Sequence, residues 1–197
     1  MIRSFHLADF FTLANAACGV GSIFTSMDYV HSQVRGQFMW AAALLPIALV
    51  FDVLDGRIAR WRQRHSPLGR ELDSLADIIS FGVGPAVLAF AAGMDRPLDR
   101  AVLIYFVACG VSRLARYNVT AEALSGGESK VKYFEGTPIP TSVLLVLVLG
   151  LAAWGGHTDE RLWFGELPVA GGFHPLVIMF AVSGSLMISK TIRLPKL

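Results

Sequence analysis

Apolar residues run through this chain in long blocks, and the polar residues gather at the block ends. Six blocks approach membrane length, at roughly 10–30, 38–63, 67–92, 99–118, 138–154 and 173–190. A spanning helix needs about 20 mainly apolar residues. The pattern therefore predicts an all-α, polytopic membrane protein with six transmembrane helices, in a single domain over 1–197. The second block is apolar from Phe38 to Leu54 and then turns polar; the third is continuously apolar only after Asp77. These polar ends face each other across a short turn at Ser66-Pro67, where Ser66 suits a helix cap and Pro67 a first helical position. Gly82, Gly84 and Pro85 predict a bend or a close approach in the third helix. The polar stretch from Asn118 to about Thr137 reads as the longest loop. Met1 to Phe11 mixes Ile2, Phe5, Leu7 and Phe10 with Arg3, His6 and Asp9, which fits either an interfacial amphipathic lead-in or a frayed tail.

Composition strengthens the membrane reading. Hydrophobic residues make up 54% and charged residues only 16%, against about 25% charged in soluble domains. A net charge of +2 offers nothing to nucleic acid. Cys18 and Cys109 lie in separate apolar runs and make no disulfide or metal framework. The first apolar block is long and lacks a small-residue cleavage site, so it reads as a retained helix rather than a signal peptide. With the N-terminus placed in the cytosol, thirteen of the 17 Lys and Arg residues fall on the cytosolic side. By the positive-inside rule both termini are cytosolic, the protein is integral to the cytoplasmic membrane, and the polar ends of the second and third blocks face the cytosol.

Those ends carry the chemistry. Asp52, Asp55, Gly56, Ala59 and Arg60 are followed by Gly69, Asp73 and Asp77. Ionisable groups at membrane depth are rare and mark a functional site by default. Asp52 and Asp55 are three apart, and Asp73 and Asp77 four apart, so each pair shares a helix face. Two antiparallel helices joined by a short turn aim both pairs at one gap. Four carboxylates that close repel one another unless cations lie between them. Oxygen-only sites suit Mg²⁺ or Mn²⁺, and magnesium favours a few carboxylates plus substrate phosphates. Two divalent ions so held clamp the attacking and leaving oxygens of a phosphoryl displacement. Gly56, Ala59 and Gly69 leave room for a diphosphate against the backbone, and Arg60 offers it a positive charge. The competing structural reading pairs the aspartates with Arg57, Arg60, Arg64 and Arg70 in a salt-bridge cluster. One Asp–Arg pair fits that reading better than two same-face acidic pairs do.

The run from Asp52 to Asp77 resembles the signature of the CDP-alcohol phosphatidyltransferases at every specified position. That resemblance implies a six-helix membrane enzyme, a homodimer, that binds a CDP-linked lipid and divalent metal at the cytosolic face. It moves the phosphatidyl group to an alcohol and releases CMP. It implies Asp52, Asp55 and Asp73 as metal ligands, with Asp77 completing the metal site and acting as base. Further blocks are similar to membrane-embedded phosphatidylserine synthases: Phe11 to Asn15, Ser80 to Ala86, Arg113 to Asn118 and Phe134 to Pro140. They imply CDP-diacylglycerol and L-serine as substrates, with Thr12, Asn15, Asp55, Gly56, Ala59, Arg60, Gly69 and Asp73 around the CDP-lipid.

Three groups keep two readings each. Arg113 and Arg116, one turn apart, either bind the carboxylate of a serine acceptor, for which Arg has the right planar geometry, or snorkel as topology anchors. Thr12 and Asn15, also one turn apart, either meet the cytidine or bond between helices in the bilayer. Lys130 and Lys132 either draw anionic substrates or face solvent and lipid headgroups. At the level of function the alternatives are another acceptor, glycerol 3-phosphate or an inositol phosphate, and a divalent-cation transporter. The acids sit at one membrane face, whereas transporter sites lie near the midplane.

Overall fold

The computed structural model describes residues 7–61, 67–125, 133–168, 171–189 and 193–195. The described chain is helical apart from one short strand pair. Helix α1 spans Leu7–Ser32, α2 Arg35–Trp61, α3 Pro67–Asp77, α4 Gly84–Ala91, α5 Pro97–Ser125, α6 Val143–Trp154 and α7 Ile178–Ile188. A six-residue π-helical turn, Ile78–Val83, joins α3 to α4 in one rod. Short 3₁₀ turns, Ile139–Ser142 and Pro175–Val177, lead into α6 and α7.

Among the described residues, three rods are long and apolar enough to cross a membrane: Ala8–Ser32, Arg35–Ile58 and Leu68–Ala91. The apolar stretches ending at Trp154 and Ile188 are shorter. Large apolar side chains point outward all around the bundle, among them Phe24, Trp40, Leu75, Ile104 and Leu151, each more than half exposed. Along α6, Val146, Leu149 and Ala153 are buried while Leu144, Leu147 and Leu151 are exposed, although both faces are apolar. A helix that is apolar all round belongs in a protein core or a bilayer, and patches this extensive mark a lipid-facing surface. The protein is a helical membrane protein.

The π turn has a local cause. Pro85 has no N–H, so the carbonyl of Phe81 loses its α-helical partner. The chain widens instead, and Gly84 N bonds the Ile79 carbonyl five residues back. The bend expected from Gly82, Gly84 and Pro85 therefore takes the form of an inserted residue. Pro46, inside α2, is accommodated without breaking that helix. Ser22 Oγ donates to the carbonyl of Ala41, 2.8 Å away, in the turn preceding this proline.

Two expectations are corrected. The loop expected from Asn118 begins later, because α5 continues to Ser125; Ala121, Glu122, Ala123 and Leu124 are all strong helix formers, and polarity alone did not end the helix. The chain after the sixth block also adds a strand: Arg193–Pro195 pairs antiparallel with Tyr133–Glu135. The first block starts at Leu7, so the N-terminal lead-in belongs partly to α1, and residues 1–6 lie outside the described ones.

Helix α1 runs between α2 on one side and the α3–π–α4 rod on the other. Its crossing of the π turn is close because Gly19 sits there. A Cβ on Gly19 would lie 2.9 Å from Ser80 Cα, a backbone atom that cannot swing away. Deeper packing comes from the T-shaped pairs Tyr29–Phe38 and Phe106–Phe180, with ring centroids 5.1 and 5.2 Å apart. The end far from the acids is tied by polar clasps. Tyr29 OH donates to Asp159 Oδ2 at 2.9 Å, and buried Asp99 holds His174 Nδ1 at 2.6 Å.

Gly19→Ala therefore overpacks a backbone crossing and should destabilise the protein by about 1–3 kcal/mol. Gly56→Ala, with nothing within 4 Å of the added carbon, should stabilise its helix by up to about 1 kcal/mol. Thermal unfolding in detergent should show a lower Tm for the first and an equal or higher Tm for the second. Equal Tm values for wild type and Gly19→Ala would contradict the close crossing.

Candidate active site

Helix α2 delivers Asp52 and Asp55 near its end, and α3 delivers Asp73 and Asp77. Carboxylate oxygens of Asp52, Asp55 and Asp73 all lie within 4.8 Å of one another. Asp77 lies outside that triplet, one helical turn beyond Asp73, yet close enough to feel the charges of Asp52, Asp73 and Asp55. Asp55 and Asp77 are buried.

Helix α1 holds the aspartates in place. Thr12 Oγ1 donates to Asp55 Oδ2 at 2.7 Å, and Asn15 Nδ2 donates to Asp77 Oδ1 at 3.4 Å. Asn15 is itself fixed from behind, where Ser80 Oγ in the π turn donates to its carbonyl at 2.9 Å. Thr12 and Asn15 thus bond between helices, and their partners are aspartates of the acidic motif. Asn15 Oδ1 and Asp73 Oδ1 are buried and have no hydrogen-bond partner among the described residues. Buried polar atoms are nearly always paired, so each of these two is open to a partner from outside the described residues.

The donor set fits a divalent cation. It is all oxygen, converges from two helices, and carries an unspent carboxylate oxygen on Asp73. The salt-bridge alternative finds no support among the described residues: Arg70 pairs with Glu71 at 3.7 Å, and no ion pair reaches the four aspartates. Gly56 presents open space on the same helix as Asp52 and Asp55. Gly69 lies in the first turn of α3. Ala59 and Arg60 lie in α2, with side chains outside the described ones; Arg64, Lys130 and Lys132 are outside the described residues.

The structure separates the two arginines that the sequence left equivalent. Arg113, largely buried, stacks over Tyr117 at 5.9 Å and feels the charge of Asp77. Arg116 Nη2 instead donates to the Ile188 carbonyl at the end of α7, 3.4 Å away. Asn118 bridges α5 to α3, donating to Ser74 Oγ at 3.0 Å and to Glu71 Oε2 at 3.3 Å. This contact holds the end of α5 against the acidic helix.

One site residue was missed. Asp9 is only 3% exposed and its charge acts on Asp55. Its signal was present: Asp9 and Thr12 are three apart and share a face of α1.

Fold and site together define a helical membrane protein with a carboxylate cluster suited to divalent cations. A family model described as CDP-alcohol phosphatidyltransferase matches residues 5–184, and the chain belongs to that family. The chain is 41% identical to the CDP-diacylglycerol–serine O-phosphatidyltransferase of Saccharomyces cerevisiae over 201 residues, covering 100% of this chain and 72% of the relative. It is 39% identical to the archaetidylserine synthase of Methanothermobacter thermautotrophicus over 144 residues, 71% of this chain and 55% of the relative. It is 34% identical to the CDP-diacylglycerol–serine O-phosphatidyltransferase of Helicobacter pylori over 187 residues, 94% of this chain and 70% of the relative.

Ligand substitutions at a metal site should cost at least as much as outer-shell ones, roughly 10–100-fold in affinity. Asp52→Ala, Asp55→Ala and Asp73→Ala should each weaken Mn²⁺ binding to the purified protein tenfold or more, read by electron paramagnetic resonance. Wild-type affinity in all three would remove the metal reading.

Proposed function

We propose that this chain transfers the phosphatidyl group of CDP-diacylglycerol to the hydroxyl of L-serine, giving phosphatidylserine and CMP. The observation that carries the proposal is the convergence of three carboxylates within 4.8 Å beside buried Asp77, in a chain whose three relatives above all have serine in their names. Asp52, Asp55 and Asp73 would hold Mg²⁺ or Mn²⁺, with Asp77 completing the set for two ions. Bound there, divalent ions would supply positive charge for the diphosphate and for the charge that develops on CMP.

The chain's own residues do the rest. Asp77 accepts the proton of the serine hydroxyl, whose oxygen attacks the lipid-side phosphorus. The bond between that phosphorus and the CMP oxygen breaks, and CMP leaves. Asn15 orients Asp77 and Thr12 orients Asp55. Gly56, Ala59 and Gly69 admit the diphosphate, Arg60 offsets its charge, and Thr12 and Asn15 border the nucleotide end. Arg113 takes the serine carboxylate, and its charge, near enough to act on Asp77, supports this. Arg116 supports the same pocket from the α7 side. Most of the rate then comes from positioning and fixed charge.

The proposal places six helices across the cytoplasmic membrane, with both termini and the site in the cytosol, and two copies in the working assembly. The unequal distribution of Lys and Arg supports the orientation. Acyl chains then stay in lipid while serine and CMP stay in water. An impermeant thiol reagent should label a cysteine at Ser66 only from the cytosolic side, and native mass spectrometry should find a dimer.

The test is transfer by protein purified into nanodiscs. CDP-diacylglycerol and radiolabelled serine should give labelled phosphatidylserine and CMP in equal amounts, stopped by EDTA and restored by Mn²⁺ or Mg²⁺. Asp77→Asn should lose about 10²–10⁴-fold in rate, the usual worth of a general base, while still binding CDP-lipid. Arg113→Ala removes a buried charged contact worth about 2–5 kcal/mol, so the KM for serine should rise about 30-fold or more. Metal-independent transfer, or CMP release indifferent to serine, would overturn the proposal.

A further inference from the structure

Asn15 and Asp73 are not alone in carrying a buried polar atom without a hydrogen-bond partner among the described residues. Thr137 Oγ1 is buried and has no hydrogen-bond partner among the described residues. Its backbone is not free to seek one. Thr137 N donates to the Leu186 carbonyl at 3.2 Å. Gly136 before it takes φ +76°, and Thr141 Oγ1 closes the following turn on the Pro138 carbonyl at 2.7 Å.

The position of Thr137 follows from one packed layer. A Cβ placed on Gly110 of α5 would lie 2.7 Å from Ile139 Cδ1 and 3.7 Å from Ile78 Cδ1. Ile78, Gly110 and Ile139 therefore meet at one level of the bundle. The α3–π–α4 rod runs away from the acids through this layer. Helix α5 runs back toward them, as the Asn118–Ser74 bond requires. The segment from Thr137 runs into α6 and away again, because past the end of α6 Asp159 N bonds the carbonyl of Ala92, just past the end of α4, at 2.8 Å. On the acidic side of the layer stand the residue before Ile78, which is Asp77; the residue a turn after Gly110, which is Arg113; and the residue two before Ile139, which is Thr137. Ser142 and Ser26 also carry unpartnered hydroxyls, but Ser142 lies beyond the layer and Ser26 toward the far end of α1.

Resting on the function proposed above, we infer that Thr137 Oγ1 hydrogen-bonds the amino-acid end of the acceptor, forming a third wall of the pocket with Asp77 and Arg113. A hydroxyl bonded to a charged group is worth about tenfold in binding. Thr137→Val keeps the shape and removes the bond. Its KM for L-serine should rise about tenfold while its KM for CDP-diacylglycerol stays within about twofold of wild type. Thr137→Ser, which restores the hydroxyl, should bring the serine KM back to within about threefold. Thr137→Ala stands in for Val if the Val variant does not fold. The inference is overturned if Val or Ala leaves the serine KM within twofold, if Ser is as impaired as Val, or if the CDP-diacylglycerol KM rises in step. Wild-type protein that fails to incorporate serine overturns the functional proposal and this inference with it. Wild-type incorporation with an unmoved Thr137→Val overturns this inference alone.

Discussion

Mutual repulsion among carboxylates is the constraint around which this bundle is built. Asp52, Asp55 and Asp73 bring their oxygens within 4.8 Å at the end of apolar helices, where water gives little screening. Left alone, such a cluster drives α2 and α3 apart. Two things oppose that. One is α1, which wedges between the helices and donates from Thr12 and Asn15 onto Asp55 and Asp77. The other is the positive charge that the cluster calls for and that no described ion pair supplies. The same repulsion that destabilises the isolated fold makes the cluster suited to divalent cations, so stability and the proposed function depend on one set of side chains.

The close approach of α1 depends on details far from any carboxylate. Gly19 lets the helix lie against the π turn, and the π turn exists because Pro85 cannot donate. That turn presents Ser80 to the Asn15 carbonyl. A proline eight residues after Asp77 thus helps set how Asn15 meets it. Pi turns recur beside functional sites, and here the physical link is a short chain of named contacts.

The acidic pairs were legible in the sequence because helical spacing alone puts Asp52 with Asp55 and Asp73 with Asp77, and few residues lie between the two helices. The six helical blocks were legible for the same reason: hydropathy is a one-dimensional signal. What was not legible depended on distant contacts. Arg113 and Arg116 look alike at a spacing of three, and only the placement of α7 sends Arg116 to the Ile188 carbonyl and leaves Arg113 over Tyr117. Asp9 read as part of an amphipathic lead-in because Asp55, on which its charge acts, lies on another helix. The extension of α5 to Ser125 was hidden by its polar composition, which suits water as well as helix. The strand pair of Tyr133–Glu135 with Arg193–Pro195 joins segments about sixty residues apart, a pairing that local pattern does not encode.

The central claim is that the carboxylates of α2 and α3 form one divalent-metal site that receives a CDP-linked lipid. Anomalous X-ray diffraction from crystals grown with Mn²⁺ and CDP-diacylglycerol tests it most directly. The account predicts manganese peaks bonded to Asp52, Asp55 and Asp73, with the lipid diphosphate against them and Gly56 facing it. Crystals saturated with Mn²⁺ that show no anomalous signal at these aspartates, or that show arginine side chains filling the gap between them, would contradict it.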